Sequence, residues 1–126
     1  MAASSGRTIL VADDNPDQRA LYVDILTHAG YVVIQAEDGA EAIQRAHDDQ
    51  PALILMDVTM PGTSGWNAVR TLRAQVETRD IPVITITGLS GTRDRDASFA
   101  AGCDAYLSKP VSPRRLLEEV RRFVPQ

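Results

Sequence analysis

The sequence predicts an α/β fold, a doubly wound parallel sheet of five strands with helices on both faces. Three observations lead there. Short apolar runs, often β-branched, recur at residues 8–12, 31–36, 52–56, 82–87 and 105–107. They are too short for helices and nearly continuous in apolar character, as strands buried on both faces are. Amphipathic stretches alternate with them, and strict strand–helix alternation implies right-handed crossovers between parallel strands.

Residues 8–12 are the first strand. Asn15-Pro16-Asp17-Gln18 then supplies an N-cap, a proline at the first helical position and an acidic first turn. Leu21, Ile25, Leu26 and Ala29 follow helical spacing, and Gly30 ends the helix. After the second strand, 31–36, a helix is expected over about 39–48, burying Ala42, Ile43 and Ala46. The third strand, 52–56, precedes a helix at about 65–75 that offers Val69 and Leu72. The fourth, 82–87, precedes a weakly patterned helix at about 92–101, with Phe99 and Ala100 expected to face inward and Gly102 to stop it. The fifth, 105–107, leads to a helix opened by Ser112-Pro113 and carrying Leu116, Leu117, Val120, Phe123 and Val124.

Composition excludes several classes of function. The chain has 126 residues, of which 44% are hydrophobic and 24% charged, which suits one soluble globular domain. Thirteen Lys and Arg against 17 Asp and Glu leave a net charge of −4, which argues against direct nucleic-acid binding. No apolar stretch approaches the ~20 residues of a membrane helix, and residues 1–8 carry no signal-peptide core. The lone Cys103 rules out an internal disulfide or a multi-cysteine metal site and fits a reducing cytoplasm.

The polar residues that follow the apolar runs carry the chemistry. Parallel strands deliver their carboxyl ends to one edge of the sheet, where ligands bind at the switch in winding direction. The expected order is the flavodoxin-like 2-1-3-4-5; periodicity does not decide it, and it rests partly on a resemblance given below. In that order the switch lies between strands 1 and 3, which end in Asp13-Asp14 and Asp57. Neighbouring strands lie ~4.8 Å apart, so these three carboxylates converge. Mutual repulsion calls for a cation. Oxygen ligands with no cysteine pair or histidine nearby point to Mg²⁺ rather than zinc. Mg²⁺ commonly shares a phosphate, whose remaining oxygens suit the hydroxyl of Thr87, at the end of strand 4, and the ammonium of Lys109, after strand 5. Asp57 is the best-placed nucleophile for an aspartyl phosphate.

These residues resemble the receiver domains of two-component response regulators, notably the single-domain, chemotaxis-regulator-like kind. The resemblance runs from about Ile9 to Val124. It rests on Ile-Leu-Val-Ala-Asp-Asp-Asn at 9–15, Leu-Met-Asp at 55–57, Met60-Pro61-Gly62 followed by Gly65, Thr87, and Tyr106-Leu107-Ser108-Lys109-Pro110. It implies that Asp57 accepts a phosphoryl group from a sensor histidine kinase or a histidine phosphotransfer protein. It implies Mg²⁺ held directly by Asp14, Asp57 and the backbone carbonyl of Thr59, with Asp13 acting through water. Lys109 would pair with Asp57 and then with the phosphoryl group. Thr87 would move toward that group, and Tyr106 would turn inward, altering the surface of helix 4, strand 5 and helix 5. Pro61 would shape the loop after the site, and a Lys109-Pro110 bond, often cis in the family, would place the lysine.

Three residues depart from the common pattern. Gly88 stands where many receivers carry alanine, opening the site beside the moving loop. Thr59 lies where side chains tune the access of water. Trp66 is unusual early in helix 3, as an exposed contact or a packing filler. Glu37-Asp38 read as a solvated turn, His28 and His47 as surface residues, Cys103 as buried, and Arg114-Arg115 and Arg121-Arg122 as a solvated face where partners of receivers often dock.

Two other functions compete with the signalling switch. Haloacid-dehalogenase-like phosphatases place a second Asp two residues after the nucleophile, where this chain has Thr59, and no substrate cap fits the length. Inert receiver-like modules usually lack one of the acids, the Thr or the Lys, and all are present. No phosphate-binding glycine motif occurs. The expectation is a single receiver domain over 1–126, with its core at about 8–124. It would act on a downstream protein target, or on an effector domain missing from this chain, without contacting nucleic acid or membrane. Phosphorylation-dependent dimerisation is left open.

Overall fold

The structure is a computed structural model that describes residues 6–58, 64–88 and 92–125, and for 92–94 the backbone alone. Strands β1 (Thr8–Ala12), β2 (Val32–Ala36), β3 (Leu53–Asp57), β4 (Val83–Thr87) and β5 (Ala105–Ser108) alternate with helices α1 (Pro16–His28), α2 (Gly39–Asp49), α3 (Gly65–Ala74), α4 (Thr92–Ala101) and α5 (Pro113–Phe123). The strands form one parallel sheet in the order β2-β1-β3-β4-β5, as the sequence led us to expect.

Successive residues of a strand point to opposite faces, so each strand feeds two cores. Leu10, Ala12, Ile54, Met56 and Val83 pack under α2 and α3. Ile9, Val11, Leu53, Leu55 and Ile84 pack under α1 and α5. Burying each of the larger side chains stabilises the fold by roughly 1.5–3 kcal/mol, and β1, β3 and β4 are buried along their whole length.

Helix starts follow the residues that announce them. The side chains of Asn15, Asp38, Ser64 and Ser112 accept the backbone N–H three residues on, at 3.0, 2.8, 3.2 and 3.1 Å. Each such cap is worth about 1 kcal/mol. Glu37-Asp38 are therefore more than a solvated turn: Asp38 caps α2, and Glu41 reaches back to the Glu37 N–H at 2.7 Å.

Three expectations about burial are corrected. β2 is an edge strand, and Val32 is 54% exposed. In α1 Tyr22 takes the inward position above Leu26, while its neighbour Leu21 is 54% exposed. In α4 Phe99 and Ala100 face outward, and among the described side chains of that helix the buried ones are Ser98 and Ala101. Small residues there let α4 lie close to α3, whose Trp66 donates its indole N–H to the Ser98 hydroxyl at 2.8 Å. Trp66 also packs against the core, so it is a filler rather than an exposed contact. Cys103 is buried, as expected. No helix among the described residues is long and apolar enough to cross a membrane.

Candidate functional site

The sheet order brings the ends of β1, β3, β4 and β5 to one edge. Asp13 follows β1 directly, and its backbone N–H continues the ladder to Ala36 at 3.0 Å. Asp57 is the last residue of β3, in register with Ile86 of β4. Carboxylate oxygens of Asp13, Asp14 and Asp57 lie within 4.8 Å of one another. Asp13 and Asp57 are only 1% and 4% exposed, whereas Asp14 faces solvent.

Lys109 answers from the far side. Its N–H donates to the Thr87 carbonyl at 2.7 Å, extending the β4–β5 pairing past the strand ends. Its Nζ lies 3.2 Å from Asp57 Oδ2. The Lys109–Pro110 peptide bond is cis. Thr87 is fully buried at the end of β4, one residue beyond the register partner of Asp57. Tyr106 is half-buried and pairs with Thr85, two residues before Thr87. Thr59, Met60 and Pro61 lie outside the described residues.

Asp13 is held on both oxygens. The Asn15 N–H donates to Oδ1 at 2.9 Å and the Gln18 side-chain amide to Oδ2 at 2.5 Å. Arg19 donates to the Asp13 carbonyl at 2.6 Å and to Gln35 at 3.0 Å, which fixes the same turn from behind. Burial pushes the Asp13 carboxyl above its ordinary value, the Gln18 and Asn15 donors pull it down, and the Asp57 charge pushes it up again, for a net rise. Tyr22 beneath the site is pushed up to about 12 by burial and by the Asp13 and Asp57 charges. Three carboxylates facing one ammonium thus leave the cleft electron-rich, with oxygen donors alone among its acidic groups. That donor set fits a hard divalent cation such as Mg²⁺.

Two glycines shape the site in different ways. A Cβ on Gly65 would lie 2.3 Å from the Asp57 carbonyl oxygen and 2.5 Å from Val58 Cα, so α3 begins directly against the backbone of the phosphoacceptor candidate. Among the described residues, a Cβ on Gly88 would meet nothing nearer than Lys109 Cδ at 3.7 Å, an ordinary contact. Gly88 therefore leaves room that an alanine would fill, whereas Gly65 leaves none.

Sequence reading placed Asp13, Asp14, Asp57, Thr87 and Lys109 at strand ends, and the fold brings those ends to one edge. It missed Gln18 and Asn15 as partners of Asp13. The signal was present: a polar residue one turn into a helix whose cap directly follows an acid pair.

The chain matches the response regulator receiver domain family over residues 9–121. It is 33% identical over 118 residues to the polar-differentiation response regulator DivK of Brucella anthropi, covering 94% of this chain and 96% of that protein. The chemotaxis protein CheY4 of Vibrio cholerae superposes with a TM-score of 0.87 at 30% identity, covering 92% of this chain and 97% of that one. The receiver domain of the sensor histidine kinase PA1611 of Pseudomonas aeruginosa, which has a magnesium ion coordinated in its active-site cleft, superposes with a TM-score of 0.88 at 32% identity, covering 97% and 100%.

Proposed function

Because the chain belongs to the response regulator receiver domain family of two-component systems, we propose that it is a phosphorylation-dependent signalling switch with Asp57 as its phosphoacceptor. The observation that carries this reading is the position of Asp57. It is a buried carboxylate at the end of a central strand, with Lys109 Nζ at 3.2 Å and two further carboxylates within 4.8 Å.

In the proposed reaction an Asp57 oxygen attacks the phosphorus of a phosphohistidine on a sensor kinase or phosphotransfer protein. The O–P bond forms as the P–N bond breaks, and the leaving imidazole takes up a proton. Asp14, Asp57 and the Thr59 carbonyl would hold Mg²⁺, with Asp13 bonded through water. Bound there, Mg²⁺ supplies charge neutralisation for the phosphoryl oxygens. The Lys109 ammonium shifts from Asp57 to the phosphoryl group, and the Thr87 hydroxyl donates to another of its oxygens. Tyr106 follows Thr87, and the α4–β5–α5 surface changes its affinity for a downstream partner. Gly88 and Thr59 tune how water reaches the acyl phosphate, and Pro61 and Pro110 shape the flanking loops. The chain is thus a cytoplasmic switch built on one receiver domain over 1–126. It is not an enzyme acting on a separate substrate, although its own phosphorylation and dephosphorylation are Mg²⁺-dependent chemistry.

The test is incubation with a small acyl-phosphate donor and Mg²⁺, read by intact mass. Wild type should gain one hydroxylamine-sensitive phosphoryl group, and Asp57→Asn none. Incorporation by Asp57→Asn at the wild-type rate would overturn the assignment.

A further inference from the structure

Gln18 is tied at both ends. Its backbone N–H donates to the Asn15 side chain at 3.0 Å, which caps α1. Its side-chain amide donates to Asp13 Oδ2 at 2.5 Å, while Oδ1 of the same carboxylate receives the Asn15 N–H at 2.9 Å. Donors on both oxygens pin the plane of a carboxylate that is only 1% exposed. Neither donor is part of the acidic cluster itself, and both stand at the start of α1, Asn15 as its N-cap and Gln18 in its first turn.

We propose that Gln18 is a positioning residue that sets the cation preference of the cleft, by holding the Asp13 carboxylate in one orientation. The inference rests on the reading of this cleft as a divalent-cation site. Mg²⁺ demands near-ideal octahedral geometry and keeps its waters, whereas Ca²⁺ accepts six to eight oxygens at irregular angles and takes carboxylates bidentately. A carboxylate clamped on both oxygens can accept from an ordered metal-bound water but cannot swing in to chelate. Released from Gln18, the Asp13 carboxylate keeps one donor and can rotate about it. Asp13 then fits the larger, more tolerant ion better and the smaller ion worse.

The experiment titrates the unphosphorylated, metal-free protein with MgCl₂ and separately with CaCl₂, following backbone amide shifts by NMR. Wild type is compared with Gln18→Met, which keeps the length and loses the donor, and with Gln18→Asn, which keeps the donor but is one methylene too short. The ratio of Ca²⁺ to Mg²⁺ dissociation constants should fall about tenfold in both variants, the lower end of what loss of a partner orienting a metal-binding side chain costs. Thermal midpoints without metal show whether each variant is folded, and either folded variant suffices. A ratio equal to wild type overturns the role of Gln18, whether both affinities are unchanged or both fall together. Wild type that binds neither ion overturns the reading of the cleft itself, and with it this inference.

Discussion

Gly65→Ala is the most sensitive probe of how the fold builds its site. The added methyl would sit 2.3 Å from the Asp57 carbonyl oxygen, 2.5 Å from Val58 Cα and 2.9 Å from the Asp57 carbonyl carbon. All three atoms are backbone, so no rotamer change relieves the contact. Reaching ordinary van der Waals separation requires about 1 Å of movement between α3 and the end of β3. That movement pulls Ala68, Val69 and Leu72, all fully buried, away from their partners. Overpacking of this kind costs about 1–3 kcal/mol, and rigid backbone on both sides puts Gly65→Ala near the top of that range. A loss of about 3 kcal/mol lowers the thermal midpoint by roughly 10 °C in a domain of this size. The assay is thermal unfolding by circular dichroism in metal-free buffer, with the phosphorylation rate measured alongside. That rate should fall too, because the displaced carbonyl belongs to Asp57. Gly88→Ala is the control: among the described residues its methyl meets only Lys109 Cδ at 3.7 Å, and stability should stay within about 0.5 kcal/mol of wild type. Gly65→Ala melting together with wild type would refute the reasoning.

Other predictions follow from single contacts. Folding raises the Asp13 carboxyl above its ordinary value through burial, so the native state binds that proton more tightly than the unfolded chain, and stability falls as pH rises from the unfolded value through the native one. Asp13→Asn should therefore melt higher than wild type at pH 7 without metal, and the advantage should shrink as the pH falls through the raised native value and be gone below about 4, where the unfolded carboxyl titrates. Arg73 donates to the Gly102, Arg79 and Ile81 carbonyls at 2.9, 2.9 and 2.6 Å and pairs with Asp104 at 2.7 Å. Arg73→Met should cost about 2 kcal/mol, read as a lower urea midpoint with an unchanged slope. Trp66→Phe and Ser98→Ala each break the 2.8 Å indole–hydroxyl bond and should cost about 1 kcal/mol. The double variant should cost less than the sum of the two, and a strictly additive result would count against the bond.

Much of this architecture was legible because buried parallel strands leave an unusual trace. Apolar runs end abruptly in polar residues, and Asp13, Asp57 and Thr87 each stand at such an end, with Lys109 two residues past the fifth run. Caps were legible for the same local reason: Asn15-Pro16 and Ser112-Pro113 satisfy the first turn of the helix they precede. The burial errors arose where local pattern underdetermines packing. Leu21 and Tyr22 are adjacent in α1, and either could have begun the inward stripe; the stripe through Tyr22 and Leu26 faces the sheet. In α4 Phe99 is more apolar than Ser98, yet Ser98 is inward, because a small side chain that accepts a hydrogen bond fits against Trp66 and a phenyl ring does not.

The sequence by itself determined which residues end up at the carboxyl edge of the sheet, since strand polarity carries every carboxyl end to the same side. It also determined the chemical character of that edge: carboxylates, the Lys109 ammonium and the Thr87 hydroxyl. What the tertiary structure alone decided is how those groups are held. The clamp of Gln18 and Asn15 on Asp13, the reach of Lys109 to Asp57, and the requirement for glycine at position 65 are all distances. Distances between helices and strand ends depend on how the layers pack, and no spacing along the chain encodes them.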